Sequence, residues 1–153
     1  MKFRIEIDPD ATEPEVLIRC AEVTEDIGRL QRLISSTDSS ATSLVFYKGA
    51  DEYYFPLAAV LFFESDGDAI YAHTREDSFT VHHRLYELEN QLPVDFVRIS
   101  KSCIVNTRQI YSIEHTLASS SQLRFVRSHK TVYVSRRYYG ALKVRMETRL
   151  GSR

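Results

Sequence analysis

The sequence predicts a mostly β domain with short helices, preceded by a small α+β segment. Three observations carry that expectation. From Leu44 onward, strand-length runs of apolar and β-branched residues follow one another, separated by turn-forming residues. Only two later stretches repeat apolar residues at helical spacing. A polar run, SSTDSSATS from Ser35 to Ser43, divides this part from the N-terminal segment. On that division, residues 1–36 form a strand–strand–helix segment, 37–43 a linker and 44–148 the β domain.

In the first segment, Lys2 to Ile7 (KFRIEI) alternates with period two, and Asp8-Pro9-Asp10 closes it as a turn. Val16 to Cys20 is a second strand candidate. Thr24 is placed to cap a helix whose first turn holds Glu25 and Asp26. Ile27, Leu30, Leu33 and Ile34 share one face of that helix. About 35 residues bury too little surface to be stable alone. The segment is therefore expected to dock on the β domain or on a second copy of itself, making a homodimer.

In the β domain, strands are expected at Leu44–Tyr47, Tyr53–Phe55 and Val60–Phe63. Asp66-Gly67-Asp68 then turns the chain into Ile70–His73, and Ser78–Val81 is a further strand. Leu85, Leu88 and Leu92 share one face of a short helix that Pro93 ends. Next come the stretch FVRISKSCIVN (Phe96–Asn106), a strand Ile110–Glu114 and a Ser-rich turn at Ala118–Ser121. Leu123–Val126 and Thr131–Ser135 make a hairpin bending at Ser128-His129-Lys130. A last amphipathic helix begins near Arg136, with Tyr139, Leu142 and Met146 on one face.

Composition excludes several classes. The chain of 153 residues, 43% hydrophobic and 27% charged, is that of one ordinary globular domain. Its N-terminus lacks the apolar core of a signal peptide, and its longest apolar run, Leu57–Phe63, is too short to span a bilayer. Cys20 and Cys103 have no metal-ligand spacing and form no disulfide framework, so a cytoplasmic protein without membrane insertion is expected. His73, His82 and His83 have no Cys or carboxylate at ligand spacing, and no metal or cofactor is expected. There is no Gly-rich phosphate loop, G-x-S-x-G or H-E-x-x-H, so the chain is not expected to be an enzyme.

Charge is more informative by halves than in total. Residues 93–153 hold 12 Lys/Arg and 3 acids, a balance of +9, while residues 1–92 hold 8 and 18, a balance of −10. Such polarity points to a polyanion-binding end. The alternatives are that the two halves neutralise each other internally, or that the basic half docks an acidic protein partner.

The stretch FVRISKSCIVN sets an exposed-looking Ser100-Lys101-Ser102 between two strand pieces. With its flanks VLFFESDGDAIYAHT, HHRLYELENQLP, DFVRISKSCIVNTRQIYSIE and TVYVSRRYYGALK, it resembles the LytTR DNA-binding domain in order and spacing, over residues 44–145. The resemblance implies an elongated, sandwich-like fold of several sheets. It also implies a transcriptional regulator that reads the major grooves of repeated duplex sites with loops rather than a recognition helix. Only about 40 residues precede the domain, too few for a receiver. This looks like a stand-alone response-regulator relative, whose input would come from a further protein partner or from concentration.

By position, the resemblance places three sites on DNA: the turn Ser65-Asp66-Gly67-Asp68, Lys101 between Ser100 and Ser102, and Arg137 beside Arg136. Ser100 departs from the His common in the family. Asp66 and Asp68 repel phosphate, so that turn either accepts from a cytosine amino group or stands away from the DNA. The residue chemistry stands by itself. Arginine offers a planar fork that fits the O6 and N7 of guanine, whereas lysine is a mobile point charge. Arg136 and Arg137 at a helix start oppose the helix dipole unless a phosphate joins them. Arg98 is either a structural ion-pair partner or a DNA contact. Asn106 reads as a turn former, and Cys103 as a small core residue. RNA binding is disfavoured because the Tyr and Phe residues read as alternating core positions.

Overall fold

The computed structural model describes residues 16–37, 44–116 and 120–151. The chain divides into two units, residues 1–37 and 38–153. The expected strand Lys2–Ile7, the turn at 8–10, residues 38–43 of the linker and residues 118 and 119 of the Ser-rich turn lie outside the described residues, while Ser120 and Ser121 of that turn begin a strand.

In the first unit, helix α1 spans Glu25–Thr37. Thr24 caps it: the Ile27 N–H points at Thr24 Oγ1 at 3.5 Å, and the Gly28 N–H donates to the Thr24 carbonyl at 3.0 Å. The helix runs three residues into the polar run, because Ser and Thr cost only about half a kcal/mol each against the best helix formers. Val16–Cys20 is not a strand. Its residues are exposed and pair with no other strand among the described residues, and an unpaired strand leaves its backbone hydrogen bonds to water.

Among the described residues the second unit holds ten strands and two α-helices. They are β1 (Phe46–Lys48), β2 (Asp51–Tyr53), β3 (Phe62–Asp66), β4 (Ala69–His73), β5 (Ser78–Val81) and α2 (Leu85–Gln91). Then follow β6 (Phe96–Ser100), β7 (Cys103–Asn106), β8 (Ile110–His115), β9 (Ser120–Phe125), β10 (Thr131–Ser135) and α3 (Arg136–Gly151). One sheet has the order β2-β1-β5-β4-β3-β7-β6 and the other β10-β9-β8, all neighbours antiparallel. The fold is mostly β, as expected, and its sheets are open.

Other details differ from the sequence reading. The expected strand Val60–Phe63 begins two residues later, as β3, because Leu57–Ala59 form a helical turn that Val60 ends. The expected strand Tyr53–Phe55 lies two residues earlier, because Gly49, at φ +64°, makes a two-residue turn that pairs Lys48 with Asp51. Phe55 leaves the sheet and stacks on Phe46 at 4.0 Å. The phenylalanines are mostly core, but Tyr54, Tyr86, Tyr111 and Tyr133 are exposed, contrary to the alternating-core expectation. Their hydroxyls favour water, Tyr111 and Tyr133 on the smaller sheet, Tyr86 on α2 and Tyr54 just after β2.

The larger sheet is buried on both faces at its centre, where β3 and β7 pair, which explains the dense apolar runs there. Phe63, Ile104, Phe79 and Val81 join Leu85 and Leu88 of α2 in one core. Phe62, Ile99, Cys103 and Val105 join Leu123, Val134 and Leu142 of the second sheet and α3 in another. β7 thus alternates between two cores, and all its residues are buried.

Helix α3 is fixed to this body at several points. Leu142 is fully buried, and Arg145 donates to Asp95 Oδ1 at 2.6 Å. Arg108 reaches the other Asp95 oxygen at 2.6 Å, and Arg149 donates to the Thr107 carbonyl. Burial would raise the Asp95 carboxyl, but the hydrogen bonds from Arg108 and Arg145 outweigh it and hold the group below its ordinary value. A depressed carboxyl stabilises the fold above its unfolded pKa, about 3.9, and loses that contribution as pH falls through the folded value. In thermal melts, Asp95→Asn should therefore fall below wild type at pH 7, with the gap closing toward about pH 3. A pH-independent gap would show that the charge is not what counts. Leu142→Ala should cost about 2–4 kcal/mol in urea unfolding, the range for emptying a closed core site.

Candidate nucleic-acid interface

Lys101 and Ser102 form the two-residue turn between β6 and β7, and both are exposed. The strand register slips between Arg98 and Ser100, leaving Ile99 as the extra residue of a β-bulge. A bulge bends the strand and re-aims the residues after it. The turn is held from within. Arg98 donates from Nε to the Ser100 carbonyl at 2.8 Å and from Nη2 to the Lys101 carbonyl. Its Nη1 donates to Glu89 of α2 at 2.9 Å. The Ser102 N–H donates to Ser100 Oγ at 3.2 Å. Arg98 is therefore an ion-pair partner that shapes the turn, with its side chain 18% exposed.

A second hairpin tip lies alongside. Gly67 and Asp68 connect β3 to β4, and Gly67 at φ +60° supplies the left-handed residue that the turn needs. The Ser65 N–H donates to the Ser102 carbonyl at 2.8 Å, locking the two tips together. Ser65, Gly67, Asp68, Arg98 and Lys101 all line one open depression of about 770 Å³. Asp66, Ser100 and Ser102 adjoin these residues in the two hairpins, so one end of the larger sheet gathers eight of the ten expected residues.

Arg136 and Arg137 are elsewhere, exposed in the first turn of α3. The Arg137 guanidinium lies 5.8 Å from the Tyr138 ring centre and makes no ion pair among the described residues. Arg145 anchors α3 near Asp95, just before β6, while Lys101 follows the far end of β6. Arg137 precedes Arg145 by eight residues, about 12 Å of helix. Both exposed cations thus stand away from that anchor.

The basic half is partly neutralised. Arg98, Arg108, Arg124 and Arg145 pair with Glu89, Asp95, Glu114 and Asp95. Lys101, Arg127, Arg136, Arg137 and Lys143 make no ion pair among the described residues, and all are exposed.

Other singled-out residues have structural roles. Asn106 is 2% exposed; its amide donates to the Val60 carbonyl at 3.0 Å and its oxygen accepts from the Arg108 N–H at 3.1 Å. Cys103 is buried, and burial pushes its thiol well above the ordinary range. His73 stacks on Phe62 at 4.3 Å and sits 3.3 Å from Glu64, yet burial and then Lys130 push it down to about 4. It is neutral at pH 7. The sequence reading weighs His82 only as a metal ligand and does not consider Arg84; both line the same depression as Lys101. Their proximity depends on β5 pairing beside β4, which no local motif reveals.

The LytTr DNA-binding domain model matches residues 51–147. The chain belongs to the LytTR DNA-binding domain family. Two HTH-type transcriptional regulators of Staphylococcus aureus, from strains bovine RF122 / ET3-1 and NCTC 8325 / PS 47, are each 32% identical over 148 residues. Those alignments cover 95% of this chain and 98% of each relative. A solved LytTR domain, from a protein of Bacillus cereus described as a methyl-accepting/DNA response regulator, superposes with a TM-score of 0.62 at 28% identity. The match covers 69% of this chain and 98% of that one. Despite the relatives' name, every pair of successive helices among the described residues of this LytTR protein is separated by strands, so none forms a helix-turn-helix.

The Arg98 fork makes a specific demand. Arg98→Ala should cost about 2 kcal/mol in urea unfolding, from one charge-assisted contact to Glu89 and two lost carbonyl partners. Arg98→Lys should not restore it, because an ammonium cannot satisfy three divergent acceptors. Faster amide exchange at residues 100–102 in both variants is the expected signature.

Proposed function

We propose that this LytTR protein is a cytoplasmic transcriptional regulator that binds duplex DNA sequence-specifically, with hairpin tips and the start of α3 in successive major grooves. The observation that carries this reading is the set of exposed cations without ion pairs among the described residues, Lys101 and Arg137 foremost, on a turn held by Arg98 and a helix held by Arg145. Arg137 would read guanine through its fork, and Lys101, flanked by Ser100 and Ser102, would enter a neighbouring groove. Ser65, Asp66, Gly67 and Asp68 supply the adjacent tip, in which the Asp66 carboxylate suits a base amino group. Arg136 and Lys143 are suited to phosphate, and Arg98 acts through the turn it holds.

We also propose that the N-terminal segment, residues 1–36, mediates a homodimer. Val16, Leu17, Val23 and Ile34 are exposed there, and paired repeats in DNA match two-fold use of one module. Light scattering at high protein concentration should show a dimer, free or on DNA; a strict monomer in both would remove that part.

The reading is tested by comparing Arg137→Ala with Lys143→Ala. Arg137→Ala should weaken binding to a selected cognate site by roughly ten- to a hundredfold and leave random DNA nearly unaffected. Lys143→Ala should weaken both slightly and equally. An equal loss on both DNAs for Arg137→Ala would make it a backbone contact. With roughly three to five phosphates neutralised, log affinity should fall against log salt with a slope between about −3 and −5. A slope near zero would favour an acidic protein partner for the basic half.

A further inference from the structure

We propose that the open depression between the β3–β4 tip, the Lys101 turn and the segment entering α2 seats the phosphodiester backbone of the bound duplex, with Arg84 as its anchor. The proposal rests on the duplex-binding reading and adds a contact from the acidic half of the chain.

A DNA strand that borders the groove entered by Lys101 must pass beside the Lys101 turn. The depression is the concave surface there. It is walled by Ser65 and Asp68 on one side, Lys101 and Arg98 on a second, and His82 and Arg84 on a third. Its volume of about 770 Å³ and open side fit a run of sugar–phosphate units rather than a lone ion.

The lining charge favours an anion. Arg84, Arg98 and Lys101 face the single carboxylate of Asp68. Arg98 is neutralised by Glu89, so the free cations are Arg84 and Lys101. Arg84 is exposed and pairs with no carboxylate among the described residues. Its main chain is fixed, because its N–H donates to Glu87 Oε2 at 3.0 Å, which leaves the guanidinium to reach outward. His82 is held beside it, stacked on Tyr47 at 3.9 Å. A fixed backbone carrying an unpaired guanidinium is the arrangement that phosphate contacts use to set register without reading sequence.

The test is fluorescence anisotropy on labelled cognate and random duplexes, with melting temperatures of all variants matched to wild type. Arg84→Ala should weaken both duplexes by the same factor, about three- to tenfold, and reduce the salt slope by about 1. Arg84→Lys should retain most of the affinity. Asp68→Asn should tighten binding to random duplex, since it removes the carboxylate facing the phosphates. If wild type binds no duplex at any salt, the duplex reading itself fails. If wild type binds and Arg84→Ala matches it, the phosphate seat alone is overturned. A loss confined to cognate DNA, or weaker random binding by Asp68→Asn, overturns it equally.

Discussion

The candidate interface depends on one guanidinium. Arg98 holds the carbonyls of Ser100 and Lys101 and the carboxylate of Glu89 at once. A two-residue turn with an exposed lysine has few contacts of its own, and without this clamp its direction would be set by solvent. The clamp explains three other features. The bulge at Ile99 curls the strand so that the turn's carbonyls face the strand's own arginine. Glu89 brings α2 into the arrangement, so the packing of Leu85 and Leu88 supports the turn from below. The Ser65–Ser102 bond then passes that order to the neighbouring tip.

A second ionic junction organises the opposite end of β6. Asp95 accepts from both Arg108 and Arg145, joining the start of β6, the loop after β7 and helix α3. The same residue type therefore serves two ends in this half of the chain. Arginines facing Asp95, Glu89 and Glu114 hold the scaffold, while Arg136, Arg137, Lys101 and Lys143 remain available to an anion. Net charge near zero conceals this division, and even the +9 balance of the C-terminal half overstates the charge free to meet DNA.

Legibility in the sequence followed the range of the interactions. Thr131–Ser135 and Ser78–Val81 were readable as strands from alternation alone, and Leu85, Leu88 and Leu92 marked α2. Tyr139, Leu142 and Met146 gave the buried face of α3. The failures are non-local. Tyr53–Phe55 was misplaced because alternation continues past the true strand, and Phe55 is claimed by stacking on Phe46. FVRISKSCIVN reads as two strand pieces around an exposed turn, but its pattern does not reveal that Ile104 faces one core and Cys103 and Val105 the other. The alternatives for Arg98 needed Glu89 in view, nine positions away on a different element. Arg84 was invisible as an interface residue, because only the β4–β5 pairing brings it beside Lys101. Lys101 and Arg137 were identified through family resemblance, and their exposure without ion pairs is what the fold adds.

The central claim is that the clamped turn presents Lys101 to a particular part of the DNA site. The most direct measurement is selection of binding sites from a random duplex pool by wild type and by Lys101→Ala. Wild type should yield a defined motif, and the variant should lose preference at one contiguous position of that motif while keeping the rest. An unchanged motif with uniformly weaker enrichment would contradict the account, reducing Lys101 to a charge on the DNA backbone.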